Sequence, residues 1–324
     1  MKTYTRPNTS LEFTRLAYGC MQIGGTWTRE PITLDARAKA TRVVAAAFEH
    51  GITFFDHADI YCHGKSERVF GEILHELKIA RDSIVIQSKC GIRFPNDPDA
   101  GDPERYDFSY DHILHSVENS LRRLQTDYLD ILLLHRPDAL LEPQEVARAF
   151  DELSHAGKVK FFGVSNHTAA QIQLLKKFVA QPIIVNQVEL NLLHADLIDD
   201  GIFFNKGVRP YTAAGGTLEY CRAHDILIQA WAPLANGLLF NPPQDANTNV
   251  KRVAGLIAQY AQMKNTTQEA IALAWLLKHP APIQPILGTT NPERVAASCR
   301  ADEIELTREE WYALLKAARG EPVP

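Results

Sequence analysis

Asp56, Tyr61, Lys89 and His135 are a carboxylate, a phenol, an ammonium and an imidazole, each at or just past the end of a short apolar run. Three runs read FFD, VIQSK and ILLLH and close on Asp56, Lys89 and His135; Tyr61 follows Asp56 by five positions in DHADIYCHGKSE. Brought together away from water, such groups perturb one another's protonation, which is how proton-transfer sites are built. A phenol, with a reference pKa near ~10, donates efficiently at neutral pH when a nearby cation favours phenolate. Lys89 can be that cation, Asp56 its ion-pair partner, and His135 a hydrogen-bond donor to an oxygen that gains charge. Any one of them alone is more often a satisfied rim residue; the repeated polar endings shift the balance towards a site.

The elements that must position these groups alternate. Apolar, β-branched runs at 15–18, 53–55, 84–87, 131–134, 161–164, 183–185, 226–230 and 285–287 predict eight strands. Helical spacing occupies 36–50, 67–77, 110–124, 144–156, 169–179, 217–224 and 250–278, with Asp35 and Ser66 as N-caps and Gly51 and Gly157 as stops. Continuously apolar strands alternating with helices predict a parallel sheet, and eight such units predict closure into a (β/α)8 TIM barrel, one domain over 1–324. Residues 4–13, with Pro7, Asn8 and Thr9, predict a hairpin plugging the N-terminal mouth. Connections at 92–109, 190–216 and 236–249 are long enough to be functional loops.

Chemistry on such a barrel gathers at the C-terminal ends of the strands. The remaining endings, Ser165 with Asn166, Asn186 with Gln187, and Trp231, therefore share one mouth with the four groups above. After the last strand, Gly288, Thr289, Thr290, Asn291 and Pro292 read as a close-approach loop opening a helix, with Arg294 on its first turn. Free amides at such an N-terminus favour a phosphate. No G-x-G-x-x-G follows a strand, so a Rossmann dinucleotide domain is not supported.

Composition narrows the rest. With 45% hydrophobic and 23% charged residues the chain can bury a large core, and a formal net charge of -5 argues against a nucleic-acid scaffold. The start has no apolar leader, and no run approaches the length of a membrane span, which predicts a cytoplasmic protein. Five cysteines without a C-x-x-C pair predict reduced thiols, with Cys62 and Cys90 buried and inert. His57, Cys62 and His63 lack a companion ligand motif, so no metal is expected.

The stretch GITFFDHADIYCHGKSERVFGEIL, followed in order by SKCG, LLLHRPD, GKVKFFGVSNHT, VNQVELN, AWAPLANGLL and PILGTTNPERV, resembles the aldo-keto reductase family over nearly the whole chain. The resemblance implies NAD(P)H-dependent reduction of an aldehyde or ketone, with Asp56, Tyr61, Lys89 and His135 as the catalytic set. It implies NADPH rather than NADH, its adenosine phosphate gripped by Gly288, Thr289, Thr290, Arg294 and Ser298. Ser165, Asn166 and Gln187 match residues that hold the nicotinamide carboxamide, with Trp231 against the ring. Gly19, Cys20, Met21, Asp56, Ala232 and Leu234 complete the implied cofactor contacts, and Trp27 and His57 are candidate substrate walls. The implied partner is a small carbonyl compound bound by a monomer or small homo-oligomer. Two other classes stay open: a cofactor-bound regulatory or sensor subunit, and a Schiff-base lyase using Lys89 as nucleophile.

Overall fold

The chain was analysed as a computed structural model, which describes residues 1–203 and 215–322. Runs rich in Val, Ile, Leu and Phe form strands because their branched side chains suit a pleated surface covered on both faces. An N-terminal hairpin, β1 (Thr3–Thr5) and β2 (Glu12–Thr14), precedes β3 (Ala17–Gly19), β4 (Phe54–Asp56) and β5 (Val85–Cys90). A small antiparallel hairpin follows, β6 (Ile92–Arg93) and β7 (Arg105–Tyr106). Then come β8 (Leu129–Leu134), β9 (Val159–Ser165), β10 (Ile183–Glu189), β11 (Leu227–Trp231) and β12 (Ile283–Leu287). Eight of these, β3, β4, β5, β8, β9, β10, β11 and β12, close into a parallel barrel in chain order, as the sequence predicts.

The helices are α1 (Leu34–Glu49), α2 (Lys65–Glu76), α3 (Tyr110–Leu124), α4 (Pro143–His155), α5 (Ala169–Lys176) and α6 (Asp196–Phe203). They continue with α7 (Thr217–Ala223), α8 (Thr248–Met263), α9 (Gln268–Leu277), α10 (Pro292–Cys299) and α11 (Arg308–Arg319). No helix among the described residues is long and apolar enough to cross a membrane.

Local chemistry corrects three of the sequence expectations. Thr33, not Asp35, caps α1, its hydroxyl accepting from Ala36 N at 3.2 Å. Ser66 lies inside α2 and donates to Met21 O at 3.0 Å, while Gly64 takes the cap position in a left-handed conformation. The helix expected over 250–278 is two, α8 and α9. Asn265 turns left-handed with φ 48°, and Thr267 starts the second helix by accepting from Ala270 N. The same Thr267 hydroxyl donates to Ala297 O at 2.8 Å, fastening α9 to α10. Part of the long connection expected over 190–216 lies at 204–214, outside the described residues; its first portion contains α6.

The hairpin at the N-terminus plugs the barrel. β1 and β2 pair with Tyr4 opposite Phe13. Phe13 is fully buried in a cluster with Ala17, Phe54, Val85, Ile131, Leu133, Val185, Leu227 and Ile286, its ring stacked on Phe54 at 5.7 Å between centroids. Barrel strands contribute these side chains from all sides, so one aromatic ring closes the floor. Phe13→Ala is therefore expected to lower stability by about 3–5 kcal/mol. Urea unfolding followed by circular dichroism checks this; a midpoint equal to the parent's would show that the ring is not a floor.

Candidate active site

Tyr61 sits where the chain leaves β4 and turns back sharply. Cys62 and His63 adopt left-handed backbone angles, φ 50° and 56°, so this turn is strained and has to be held from outside. The Cys62 thiol donates towards Met21 O at 3.3 Å and Gly25 O at 3.4 Å. A methyl on Gly24 would lie 2.7 Å from Cys62 Cβ and from Ser66 N, so only glycine lets the turn at 20–24 press this closely. Backbone bonds from His57 N to Gln87 O and from Asp59 N to Lys89 O continue the β4–β5 pairing past the strand end.

The pairing brings three of the four expected groups into contact. Lys89 Nζ donates to Asp56 Oδ2 at 2.8 Å, to His57 O at 2.7 Å and to Tyr61 Oη at 2.9 Å. All three ammonium hydrogens are thereby used. Asp56 Oδ1 accepts from Gln87 Nε2 at 2.6 Å and Gln187 Nε2 at 3.0 Å. His135, at the end of β8, presents its ring edge-on to Tyr61 with centroids 6.0 Å apart. Its Nδ1 is buried without a hydrogen-bond partner.

Electrostatics follow from burial. Burial opposes the Lys89 charge, but Asp56 and Tyr61 outweigh it and hold its pKa above the ordinary value. Burial raises the Tyr61 phenol; Lys89 pulls the other way without cancelling it. This corrects the expectation that the cation leaves the phenol unusually acidic: the buried phenol loses more to desolvation than the ammonium returns. Burial, with Lys89 and Arg136 nearby, keeps His135 well below the ordinary imidazole range, so it is neutral. Burial likewise raises the Cys20 and Cys90 thiols well above normal and raises Cys62.

Above these groups opens a cavity of ≈ 680 Å³. Trp27, Tyr61, His135 and Arg136 stand among its walls, as do Ser165, Asn166, Gln187 and Trp231; Gly288, Thr289, Arg294 and Ser298 carry it on past β12. Gly19, Met21, Asp56, Ala232 and Leu234 are also on the wall. Three expected contacts are not. Cys20 is fully buried behind it, and Thr290 is solvent-exposed beside it. His57, expected as a substrate wall, is enclosed with its ring 4.5 Å from Phe70, and burial lowers it to about 3. The residue after a polar strand end points into the protein here, which explains the miss.

The carboxamide candidates form one network. Asn166, at φ 62°, donates to His135 O and Ser165 Oγ and accepts from Trp231 Nε1 at 3.0 Å; Ser165 Oγ donates to Gln187 O. At the far end, a methyl on Gly288 would meet no protein atom within 4 Å, so packing does not demand glycine there. Residues that sequence reasoning missed on the wall include Arg136, Glu269 and Phe240. Glu269 escaped because the break between α8 and α9 was not foreseen. Arg136 was legible as the neighbour of His135; it lies 5.7 Å from the Trp231 ring centroid, with no carboxylate partner among the described residues.

A parallel eight-stranded barrel with a carboxylate, an ammonium and a phenol in direct contact at its C-terminal mouth defines a class, and comparison with known proteins names it. The Aldo/keto reductase family model matches residues 15–319, and the chain belongs to that family. The 6-dehydroglucose reductase of Agrobacterium fabrum is 33% identical over 314 residues, covering 97% of each chain. The oxidoreductase YdhF of Escherichia coli is 36% identical over 294 residues, covering 90% of this chain and 92% of that one. Among solved structures, the glycerol dehydrogenase of Gluconobacter oxydans superposes with a TM-score of 0.80 at 24% identity, covering 99% of this chain and 97% of that one.

Behind Tyr61, the Asp59 carboxyl is raised to about 7 by burial and by the Glu67 carboxylate, and its Oδ1 is sealed without a partner. Between an ordinary carboxyl pKa of 3.8 and about 7 the folded chain keeps a proton that the unfolded chain has released. Its contribution to stability is therefore present at low pH and lost as pH rises through that window. Asp59→Asn should exceed the parent's unfolding temperature by clearly more near pH 8 than near pH 5, where only part of that window has been crossed. Thermal scans at the two pH values decide it; an equal difference at both would remove the titration.

Proposed function

We propose that this protein reduces the carbonyl group of an aldehyde or ketone, with Tyr61 as proton donor and NADPH as hydride source. The observation that carries the reading is the 2.9 Å contact between Tyr61 Oη and Lys89 Nζ at the wall of the cavity. A bound reduced nicotinamide supplies a hydride to the carbonyl carbon. Tyr61, protonated at neutral pH as any phenol is and more so because burial raises its pKa, hands its proton to the carbonyl oxygen. Lys89 lowers the cost of the phenolate left behind, and Asp56 keeps Lys89 charged and in place. Neutral His135 stands on the wall of the same cavity, where its ring can steady the same oxygen.

The residues fit such a cofactor. Asn166, Gln187 and Trp231 line the cavity below the mouth; Arg294, on the first turn of α10, and Ser298, near the end of the same helix, line its far end past β12. Glu269 shares that end and opposes an added phosphate, so the preference for NADPH rests on Arg294 outweighing it. Lys89 does not suit a Schiff-base role. Its three hydrogens are engaged and its pKa is raised, whereas a nucleophilic lysine needs a lowered one. Arg136, a cation on the cavity wall, would favour carbonyl compounds rich in oxygen, such as hydroxyaldehydes.

Tyr61→Phe should bind NADPH as the parent does yet lose about 10²–10⁴-fold in kcat. Fluorescence quenching and NADPH oxidation measure the two quantities, and parental turnover would remove Tyr61 from the chemistry. In the parent, carbonyl reduction should hold across neutral pH and decline only as pH rises through the Tyr61 ionisation, because the protonated phenol is the working form. For the cofactor, Arg294→Ala should weaken NADPH by about tenfold or more while leaving NADH little changed; equal losses for both would reject a phosphate contact.

A further inference from the structure

A buried series of amide side chains links the active-site carboxylate to the floor of the barrel. Thr14 O, in β2, accepts from Gln284 Nε2 at 2.6 Å, and Gln284 Oε1 accepts from Gln229 Nε2 at 2.8 Å. Gln229 Oε1 then accepts from two amides, Gln87 Nε2 at 2.8 Å and Gln187 Nε2 at 3.0 Å. The same two nitrogens donate to Asp56 Oδ1. Strand register builds the series: Gln187 stands opposite Gln229, Gln229 opposite Gln284, and Asp56 opposite Gln87. None of these five side chains belongs to a residue more than 2% exposed.

The direction of the series is fixed from below. An amide side chain can exchange its donor and acceptor ends by rotating half a turn, but a backbone carbonyl can only accept. Thr14 O therefore obliges Gln284 to turn its NH2 downward and its oxygen upward, which obliges Gln229 to do the same. Gln229 Oε1 in turn takes one hydrogen from each of Gln87 and Gln187. Each of those amides has one hydrogen left, and both point at Asp56 Oδ1. Rotating Gln229 would set its NH2 against two others, a mismatch that is costly where the residues are at most 2% exposed.

We propose that Gln229 and Gln284 are positioning residues for Asp56. They carry the fixed polarity of the N-terminal hairpin to the mouth, aim two donors at Oδ1 and leave Oδ2 to Lys89. Hydrogen bonds to an ionised carboxylate are among the stronger ones in proteins, so a misdirected pair weakens the hold on Lys89 and hence on Tyr61. The inference rests on the reductase reading above.

A double-mutant cycle tests it. Gln229→Met keeps much of the volume and removes the acceptor shared by Gln87 and Gln187. With NADPH and an aldehyde, its kcat should fall about tenfold or more while NADPH affinity stays close to the parent's. Combined with Asp56→Asn, the same change should cost little further, because the carboxylate it serves is gone. An undiminished kcat in Gln229→Met, or an equal fall in both backgrounds, would overturn the proposal. Gln284→Glu guards against misfolding as the cause. Its protonated carboxyl can still donate to Thr14 O and accept from Gln229, whereas its ionised form cannot donate. Activity should be close to the parent's at low pH and drop as pH rises through that ionisation; a pH profile parallel to the parent's would also overturn the proposal. Absence of any carbonyl reduction by the parent chain would instead sink the reductase reading itself, so the two failures are distinguishable.

Discussion

The site is built around the contact between Asp56 and Lys89, two opposite charges 2.8 Å apart with side chains 3% and 0% exposed. Taking both out of water carries a penalty of several kcal/mol per ion, and mutual attraction offsets it only when every remaining hydrogen-bonding position is filled. The structure meets that condition: the ammonium has His57 O and Tyr61 Oη as further acceptors, and the carboxylate has two amide donors. The phenol is thus part of what satisfies the ion pair. Removing one charge would leave the other stranded beside Tyr61, so local stability and proton chemistry share the same few atoms.

Strand pairing explains why these atoms meet. Asp56 and Gln87 are register partners on β4 and β5, and Lys89 lies two residues further along the same face. The left-handed turn at Cys62 and His63 then folds Tyr61 back over the ammonium. A turn so strained needs its own supports, and thiol and hydroxyl donors to Met21 O provide them from Cys62 and Ser66. Cys62 is thereby a structural element of the mouth.

Much of this was legible in the sequence for a physical reason. A buried parallel strand must be apolar along its length, so the polar residue that ends it stands out; Asp56, Lys89, His135 and Ser165 were found that way. Residues inside the runs were harder to read. Gln87, Gln229 and Gln284 look like blemishes in apolar segments until the barrel closes and joins them in one hydrogen-bonded series. Capping at Thr33 and the helix break at Asn265 depend on which hydroxyl or left-handed residue wins locally, and helical periodicity alone does not record that. His57 misled because adjacency to Asp56 says nothing about which way the next side chain faces. The sign of the Tyr61 shift depended on how completely the ring is enclosed, a property of the assembled molecule.

The amide series has a bearing on how the chain finds its own alignment. Hydrocarbon side chains in a barrel are nearly interchangeable, and a strand displaced by one residue could in principle re-pack its Leu and Ile contacts. Gln187, Gln229 and Gln284 remove that tolerance, since slipping β10, β11 or β12 by one position would turn an amide out of the series and strand its neighbours' polar atoms in a dry interior. The amides thus act as a checksum on strand alignment, read when the sheet meets the N-terminal hairpin.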